Sequence, residues 1–330
     1  MEKPEINEND LKECREIAEK CRTEAAKRLV GQSQVIDGIL TAMVAGGHIL
    51  LEGVPGLAKT LAVRTFAELS GLDFKRIQFT PDLLPADLTG TLMYEQNTGR
   101  FSVHKGPVFT NVVFADEINR APAKVQSALL ESMAERQVTI GETTYKLPDP
   151  FFVLATQNPI EQEGTYNLPE AELDRFLMKI VVPYPTASEE IEIVKTCGNA
   201  SAVPVNQVFS QQILRKCKSL LERIVCDEKI VEYIVSIVNI TRPTNSMSSG
   251  KDDISKYIDY GASPRAGIAL LQCAKVQALF SGRSFVLPDD IKAVAKNVLR
   301  HRLVLSYEAA ASNVSADDII EKILELTPLP

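Results

Sequence analysis

The segment GVPGLAKT at residues 53–60 is the feature that most limits how this chain can fold. It follows the short apolar run HILLEG and precedes TLAVRTFAELSG, which has helical spacing. A strand, a glycine-rich loop and a helix in this order are the setting of phosphate-binding loops, whose pattern is Gly, four residues, Gly-Lys, then Ser or Thr. Gly53, Lys59 and Thr60 match, whereas Ala58 stands in place of the second Gly. The segment therefore predicts a phosphate site with one departure from the pattern.

The loop residues carry the groups that the phosphates of a nucleotide need. Backbone N–H groups of the loop and of the helix N-terminus would surround the β-phosphate. Lys59 would reach the β- and γ-phosphates, and the Thr60 hydroxyl would ligate Mg²⁺. Ala58 is tolerable if its φ stays negative and its methyl group points away from the phosphate. A plain surface turn is the alternative. The predicted nucleotide-binding residues of the loop are Gly53, Val54, Pro55, Gly56, Leu57, Ala58, Lys59, Thr60 and Leu61.

A second motif, VVFADE at residues 112–117, supplies the acid that a phosphate loop requires at the end of a neighbouring strand. Asp116 is expected to hold Mg²⁺ through its water shell, and Glu117 to polarise the attacking water. An acidic strand end that caps the next helix is the alternative. A later strand ends in Gln157-Asn158, and Asn158 can hydrogen-bond both the water and a phosphate oxygen. A simple Asn-Pro turn is the alternative there.

Strand candidates alternate with helices through the first half of the chain. HILLEG, DFKRIQFT, NVVFADEIN, DPFFVLATQNP and FLMKIVVPYP are strand-like, and their alternation with helices predicts an α/β fold with a parallel sheet. GTLMYEQNTGRFSVHKGPVF and QVTIGETTYKLP have the pattern of β-hairpins, and we interpret them as insertions. After Pro185 only helices are predicted. The chain should therefore divide into an α/β domain at 1–186 and an all-α domain at 187–330.

Composition narrows the functional classes. The 330 residues carry 43 acidic against 36 basic side chains, a formal net charge of −7, which argues against nucleic-acid binding but leaves a local basic patch open. The apolar run at 38–51 is too short to span a membrane, and the acidic N-terminus is unlike a secretion signal. The six cysteines form no CxxC pair and there are only three histidines. We therefore expect buried thiols in a reducing, cytoplasmic setting rather than zinc ligands.

Two arginines are candidates for a contact with the γ-phosphate. Arg175 lies in LPEAELDRF, before the fifth strand, and Arg265 lies in GASPRAG, in the first turn of a predicted helix. An arginine on the far side of the sheet would act on the nucleotide of a neighbouring subunit, as an arginine finger does. The alternative is a structural salt bridge of Arg175 with Asp174 or Glu172.

Together, GVPGLAKT, FADEINRAP, LATQNPIEQEGTYNLPEAELDRF and GASPRA resemble the MoxR family of AAA+ ATPases. The resemblance extends from LVGQ at 29–32 to the last helices, and this family tolerates Ala58. It implies an AAA+ P-loop domain with a five-stranded parallel sheet of order 5-1-4-3-2 and an all-α lid domain. It also implies one hairpin inserted after the second strand and another before the fourth.

The resemblance assigns roles to individual residues, with ATP and Mg²⁺ as the ligands. Val30 and Gly31 would line the adenine, and Arg120 would face a subunit junction. The remaining roles are the Walker A pair Lys59 and Thr60, the Walker B pair Asp116 and Glu117, sensor 1 Asn158, the arginine finger Arg175 and sensor 2 Arg265, with Thr60 and Asp116 serving the metal.

The resemblance also implies a ring, commonly a homo-hexamer, that acts as a chaperone-like motor on proteins with von Willebrand factor A domains. Two alternatives stay open. A nucleic-acid motor would need basic hairpins, yet Arg100, His104 and Lys105 of the first hairpin stand against Glu95 in a chain of net negative charge. A nucleotide-gated scaffold that hydrolyses little would fit Ala58, but the intact catalytic residues argue against it.

Overall fold

The computed structural model describes residues 6–159, 165–195, 203–243 and 254–330, so Cys197 and the segment IEQEG at 160–164 lie outside the described residues. The strands are β1 (Ile49–Glu52), β2 (Phe74–Gln78), β3 (Gly90–Glu95), β4 (Arg100–Lys105), β5 (Val112–Asp116), β6 (Gln137–Ile140), β7 (Thr143–Lys146), β8 (Phe152–Gln157), β9 (Met178–Val181), β10 (Ile258–Tyr260) and β11 (Val304–Leu305). The α-helices are α1 (Glu8–Ala26), α2 (Ser33–Ala45), α3 (Lys59–Ser70), α4 (Pro85–Thr89), α5 (Ala123–Glu135), α6 (Glu170–Leu173), α7 (Ala187–Lys195), α8 (Gln211–Leu221), α9 (Glu228–Ile240), α10 (Pro264–Phe280), α11 (Pro288–Leu299), α12 (Tyr307–Ala311) and α13 (Ala316–Leu326).

The five predicted strands form one sheet in the order β2-β5-β8-β1-β9. Counted along the chain this is 2-3-4-1-5, so the expected order 5-1-4-3-2 is confirmed. The β1–β8, β5–β8 and β2–β5 pairs are parallel. Every residue of β5 is buried, because helices cover both faces of a parallel sheet. The register pairs Glu52 with Gln157 and Gln78 with Asp116, which brings the carboxyl ends of these strands to one edge.

Both predicted hairpins are present and they contact each other. Strands β3 and β4 pair along their whole length, as do β6 and β7. A side chain at Gly141, in the turn of the second hairpin, would collide with Leu92 of the first, and φ there is +62°. The Lys105 ammonium lies 5.0 Å from the Phe109 ring centroid and 5.3 Å from that of Tyr145, so a cation–π cluster also links the two hairpins.

The prediction of helices alone after Pro185 is wrong at one place. Ile258 and Tyr260 of β10 pair with Leu305 and Val304 of β11 in a two-stranded antiparallel sheet. The strands hold three and two residues, too few to show the alternation by which strands are read from a sequence. The predicted helices after this boundary are otherwise confirmed. Among the described residues, no helix is both long enough and apolar enough to cross a bilayer.

The predicted boundary between 186 and 187 is not the division that the structure shows. One compact unit comprises Met1–Glu19, Leu177–Lys179 and Arg215–Pro330, and the other Lys20–Phe176 and Ile180–Leu214. We call them the helical unit and the sheet unit. The start of α1 joins the helical unit because the thiols of Cys14 and Cys217 lie 3.5 Å apart. The chain before α8 joins the sheet unit because the amides of residues 208 and 209 donate to the carbonyl of Leu69.

The expectation of buried thiols holds for most of the cysteines that the structure describes. Cys14, Cys21, Cys217 and Cys273 are buried and Cys226 is partly exposed, and none of the five forms a disulfide. Burial raises the pKa of Cys273 to about 12, so this thiol stays protonated at neutral pH.

Candidate functional site

A cavity of about 850 Å³ in the sheet unit gathers most of the predicted site residues. It opens at the carboxyl edge of the sheet, where ligands bind in open α/β folds. A volume of this size lies within the roughly 300–1,000 Å³ of small-molecule sites. The predicted residues that line it are Val30, Gly31, Pro55, Gly56, Leu57, Ala58, Lys59, Thr60, Leu61, Asp116, Glu117 and Asn158.

The glycine-rich loop is anchored at both sides. Its first amide, that of Gly53, donates to the carbonyl of Gln157 at 3.3 Å, which continues the β1–β8 pairing. The Gln32 side chain donates to the carbonyl of Leu57 at 2.9 Å. Gly56 has φ +89° and no atom lies within 4 Å of where a side chain would begin. The loop is thus fixed from outside and open on the side of the cavity.

Ala58 does not have the negative φ that the sequence led us to expect. It lies in the left-handed region, at φ 53° and ψ 21°, as the N-cap of α3. The chain must turn sharply here from the loop into the helix, and glycine makes such a turn without steric cost. Alanine loses roughly 1–2 kcal/mol in this conformation because its Cβ crowds the backbone. Ala58 therefore replaces the second Gly of the usual pattern, and the left-handed turn is retained.

The Lys59 ammonium bends back onto its own loop. It donates to the carbonyl oxygen of Gly53 and, at 3.1 Å, to that of Val54. These two predicted binding residues therefore contribute carbonyls to the lysine and are not among the cavity-lining residues. Burial lowers the pKa of Lys59 from its ordinary value, and the carboxylates of Asp116 and Glu117 oppose that shift. A phosphate in the cavity would offer the ammonium a charged partner in place of the carbonyls.

Thr156 links the two acids, and sequence reasoning missed it. Its hydroxyl donates to Oδ1 of Asp116 at 2.7 Å and accepts from the backbone N–H of Glu117 at 2.8 Å. Thr156 is almost fully buried, so neither group has water as a substitute partner. Glu117 itself lies in the left-handed region at φ 56°. The hydroxyl therefore orients the Asp116 carboxylate and the turn that carries Glu117.

Strand β2 contributes two further polar side chains that sequence reasoning missed. Arg76 forms an ion pair with Oδ2 of Asp116 at 2.7 Å, and Gln78 donates to Oε2 of Glu117 at 3.0 Å. Glu117 is also 3.2 Å from the guanidinium of Arg120, the residue expected at a subunit junction. The sequence did contain a signal for them. Arg76 and Gln78 are polar residues two positions apart near the end of a strand, and such residues lie on the same face of the strand. Only the register shows that this face adjoins the acids.

The remaining candidates differ in position. The carbonyl of Asn158 accepts from Asn119 at 3.2 Å, and the residue lines the cavity. Arg175 is exposed, is not among the lining residues and, within the described parts of the chain, forms no ion pair with Asp174 or Glu172. Arg265 is an exposed residue in the first turn of α10 in the helical unit. Apart from Gly53 and Val54, which contact Lys59, the predicted nucleotide-site residues of the sheet unit therefore line the cavity, and Arg175 does not.

The wall near Val30 and Gly31 includes residues from beyond β9. Tyr184, Glu189 and Ile193 line the same cavity. The Glu189 carboxyl occupies the space that a side chain at Gly31 would need, and φ of Gly31 is +72°. No sequence pattern marked these residues, because their approach depends on how the chain folds back after the last strand.

The arrangement fits a nucleoside triphosphate with Mg²⁺. The first-turn amides of α3 have no partners within the helix, and the residues that carry them line the cavity. Lys59 adds a positive charge, and Thr60 and Asp116 add the hydroxyl and carboxylate oxygens that Mg²⁺ prefers. Glu117 and Asn158 line the same cavity.

A parallel sheet of this strand order, with a phosphate loop after its first strand and paired acids after its third, defines a AAA+ ATPase. Family models agree with this class. Residues 48–178 match the "ATPase family associated with various cellular activities (AAA)", and residues 251–323 match the "AAA lid domain".

Comparison with individual proteins narrows the class to a family. The chain is 47% identical to "Chaperone MoxR1" of Mycobacterium tuberculosis over 93% of this chain and 81% of that protein. It is 32% identical to "Protein MoxR" of Methylorubrum extorquens over 97% of each. A crystal structure of a protein assigned as an ATPase from Cytophaga hutchinsonii superposes with a TM-score of 0.88 at 48% identity, covering 98% of both chains. The chain belongs to the MoxR family of AAA+ ATPases.

Proposed function

We propose that the chain hydrolyses ATP to ADP and phosphate and uses the cycle to remodel a protein partner. The observation that carries the first part is the single cavity that contains the phosphate loop, both acids and Asn158. Membership of an ATPase family supports hydrolysis in general, and this site supplies the groups for it.

Each residue of the site has a defined task in this proposal. The loop amides and Lys59 bind the β- and γ-phosphates, and Thr60 and Asp116 hold Mg²⁺. Bound Mg²⁺ would offset the charge of the phosphate oxygens. Glu117, whose Oε2 contacts the Gln78 amide and the Arg120 guanidinium, orients and polarises the attacking water. Asn158 holds that water from the other side. Catalysis of this kind depends on positioning and charge, without a covalent intermediate.

The site is completed, in our proposal, by a neighbouring copy of the chain in a ring, commonly of six. Arg175 supports this because it is exposed, lacks an ion pair with its acidic neighbours in the described chain and is not a lining residue of its own cavity. From a neighbour it would contact the γ-phosphate as an arginine finger. Arg265 would act as sensor 2, and Val30 and Gly31 would line the adenine.

A protein is the partner class that the hairpins favour. The first hairpin exposes Leu92, Met93, Tyr94 and Phe101, with the Tyr94 and Phe101 rings 5.3 Å apart. Such an apolar surface suits a protein segment better than a phosphate backbone. Lys105, one of the few cations here, has its ammonium over the aromatic rings of Phe109 and Tyr145. A relative named as a chaperone supports the same class. A von Willebrand factor A domain and a cytoplasmic location are the finer parts of the proposal.

Phosphate release tests the proposal directly. The wild-type chain with ATP and Mg²⁺ should turn over, and Glu117→Gln should lose at least about 100-fold in kcat while still binding ATP. Glu142→Gln, in the second hairpin, removes an exposed carboxylate away from the cavity and serves as the matched control. Tight ATP binding by the wild type without turnover would instead support a nucleotide-gated scaffold.

The partner class is tested with a probe that has no fixed fold. Glu117→Gln in ATP should retain fluorescein-labelled casein in a ring-sized complex, and Phe101→Ser in the same background should lose it. Phe101→Ser in the wild-type background should keep basal turnover within about twofold, because the ring is exposed and remote from the cavity lining. Equal retention of single-stranded DNA would point to a nucleic-acid motor.

A further inference from the structure

Arg76 forms an ion pair with Asp116, the carboxylate that is expected to serve the metal. Its Nε and Nη2 atoms both donate to Oδ2 of Asp116, at 3.1 and 2.7 Å. The other oxygen, Oδ1, accepts from Thr156. The Asp116 side chain is 11% exposed and that of Arg76 41% exposed, so the carboxylate is buried under a guanidinium that reaches solvent. Both oxygens of the acid are therefore held by protein groups.

The same guanidinium also reaches the catalytic glutamate through one amide. Nη2 of Arg76 donates to Oε1 of Gln78 at 2.7 Å, and Nε2 of Gln78 donates to Oε2 of Glu117 at 3.0 Å. Because the amide oxygen accepts from the arginine, the amide NH₂ group must face the glutamate. Residues 76 and 78 lie on the same face of β2, and this face adjoins the end of β5. One hydrogen-bonded chain thus links the metal acid to the catalytic carboxylate.

We propose that Arg76 is a positioning residue that acts as the internal counter-cation of the magnesium site. This inference rests on the proposed ATPase function. Without metal, Arg76 neutralises a buried carboxylate that would otherwise be costly to the fold. Arg76 would compete with Mg²⁺ held beside Asp116 for the same carboxylate, so the two cations would weaken each other's contact with it.

This arrangement has a thermodynamic consequence that can be measured without turnover. If Mg²⁺ weakens the Arg76–Asp116 ion pair, the ion pair must oppose Mg²⁺ binding by the same factor, because coupling between two sites is reciprocal. Removing the guanidinium should therefore improve Mg²⁺ binding at a fixed nucleotide concentration. Nucleotide binding without metal should not improve, since Asp116 lines the cavity and would lose the cation that neutralises it.

The test is a Mg²⁺ titration of the full-length chain with a fluorescent, non-hydrolysable ATP analogue. For Arg76→Gln we expect the half-saturating Mg²⁺ concentration to fall about tenfold, with analogue affinity in EDTA no tighter than that of the wild type. Arg76→Lys keeps a charge but loses the second N–H donor to Oδ2, so its half-saturating Mg²⁺ concentration should lie between those of the wild type and Arg76→Gln. Lys75→Gln removes a cation from the opposite face of the same strand and should cause no shift.

Three outcomes separate this inference from the function on which it rests. An unchanged or higher half-saturating Mg²⁺ concentration in Arg76→Gln overturns the inference, because Arg76 would then merely support Asp116. An equal shift in Lys75→Gln also overturns it, because the effect would be one of general charge. If the wild type binds no analogue at any Mg²⁺ concentration, the proposed ATPase function fails first.

Discussion

Ala58 holds the turn of the phosphate loop in a conformation that its side chain disfavours. Because φ is 53° there, we expect Ala58→Gly to raise the free energy of unfolding by about 0.5–1 kcal/mol. Gly46→Ala, at φ 75° after α2, is the matched control and should lower it by a similar amount. Urea denaturation of the nucleotide-free chain measures both. A loss of stability in Ala58→Gly would contradict the left-handed turn.

Thr156 tests how far the acids depend on a single hydroxyl. Thr156→Val keeps the shape but leaves Oδ1 of Asp116 and the amide of Glu117 without their partner. We expect a loss of about 1–3 kcal/mol in the free energy of unfolding and at least about tenfold in kcat. Thr156→Ser retains the hydroxyl and should recover most of both. Wild-type kinetics in the valine variant would mean that the acids are oriented by other groups.

Lys59 makes ATP binding depend on pH in a predictable direction. Its pKa is lowered by burial, so in the free chain the ammonium loses its proton below the ordinary lysine value of about 10.4. Phosphate charges favour the protonated form and raise the pKa on binding. ATP affinity should therefore be full below the lowered pKa and fall as pH rises through it, with proton uptake on binding. Calorimetry in two buffers measures that uptake, and Lys59→Arg should abolish it.

At the scale of elements, the start of α11 depends on one buried carboxylate. Asp290 accepts from both Nη atoms of Arg283, at 2.9 and 2.6 Å, and from the amide of Leu287 at 2.8 Å. We expect Asp290→Ala to lower the free energy of unfolding by about 2–4 kcal/mol, because Arg283 loses its partner. Asp289→Ala removes an adjacent, exposed carboxylate and should cost less than about 0.5 kcal/mol. Thermal unfolding followed by circular dichroism distinguishes them.

The elements that could be predicted from the sequence are those with long apolar runs or a clear alternation of apolar and polar residues. The strands β5 and β8 read as apolar runs that end in polar residues, and the hairpin of β6 and β7 is marked by alternation around Gly141. The pair β10 and β11 could not be predicted, because two or three residues carry no period and their partner lies more than 40 positions away. Pairing of this kind is decided by tertiary packing.

In the candidate site, too, residues whose role depends on tertiary packing could not be predicted from the sequence. Asp116 and Glu117 were identified because motif and strand end coincide in sequence. Arg76 and Gln78 were not, because their role arises from the register of β2 against β5. The conformation of Ala58 was predicted wrongly, since the pattern records which residue is present and not the backbone turn that α3 requires.

At the scale of the whole molecule, the candidate functional residues are distributed over both units. The cavity and its acids lie in the sheet unit, and Arg265 lies in the helical unit. No single cut in the chain separates the two units, because residues 1–19 belong to the helical unit together with the C-terminal helices. Truncation at 186 and 187 would therefore cut off part of each unit.

The central claim is that each ATP is hydrolysed between two copies of the chain, by Glu117 of one and Arg175 of the next. Glu117→Gln and Arg175→Ala should each be inactive alone. Mixed in equal amounts, random assembly gives about one interface in four an intact Glu117 and an intact neighbouring Arg175, so about a quarter of wild-type phosphate release should return. If the mixture stays as inactive as its components although light scattering shows mixed rings, the two residues do not act across one interface and the account is contradicted.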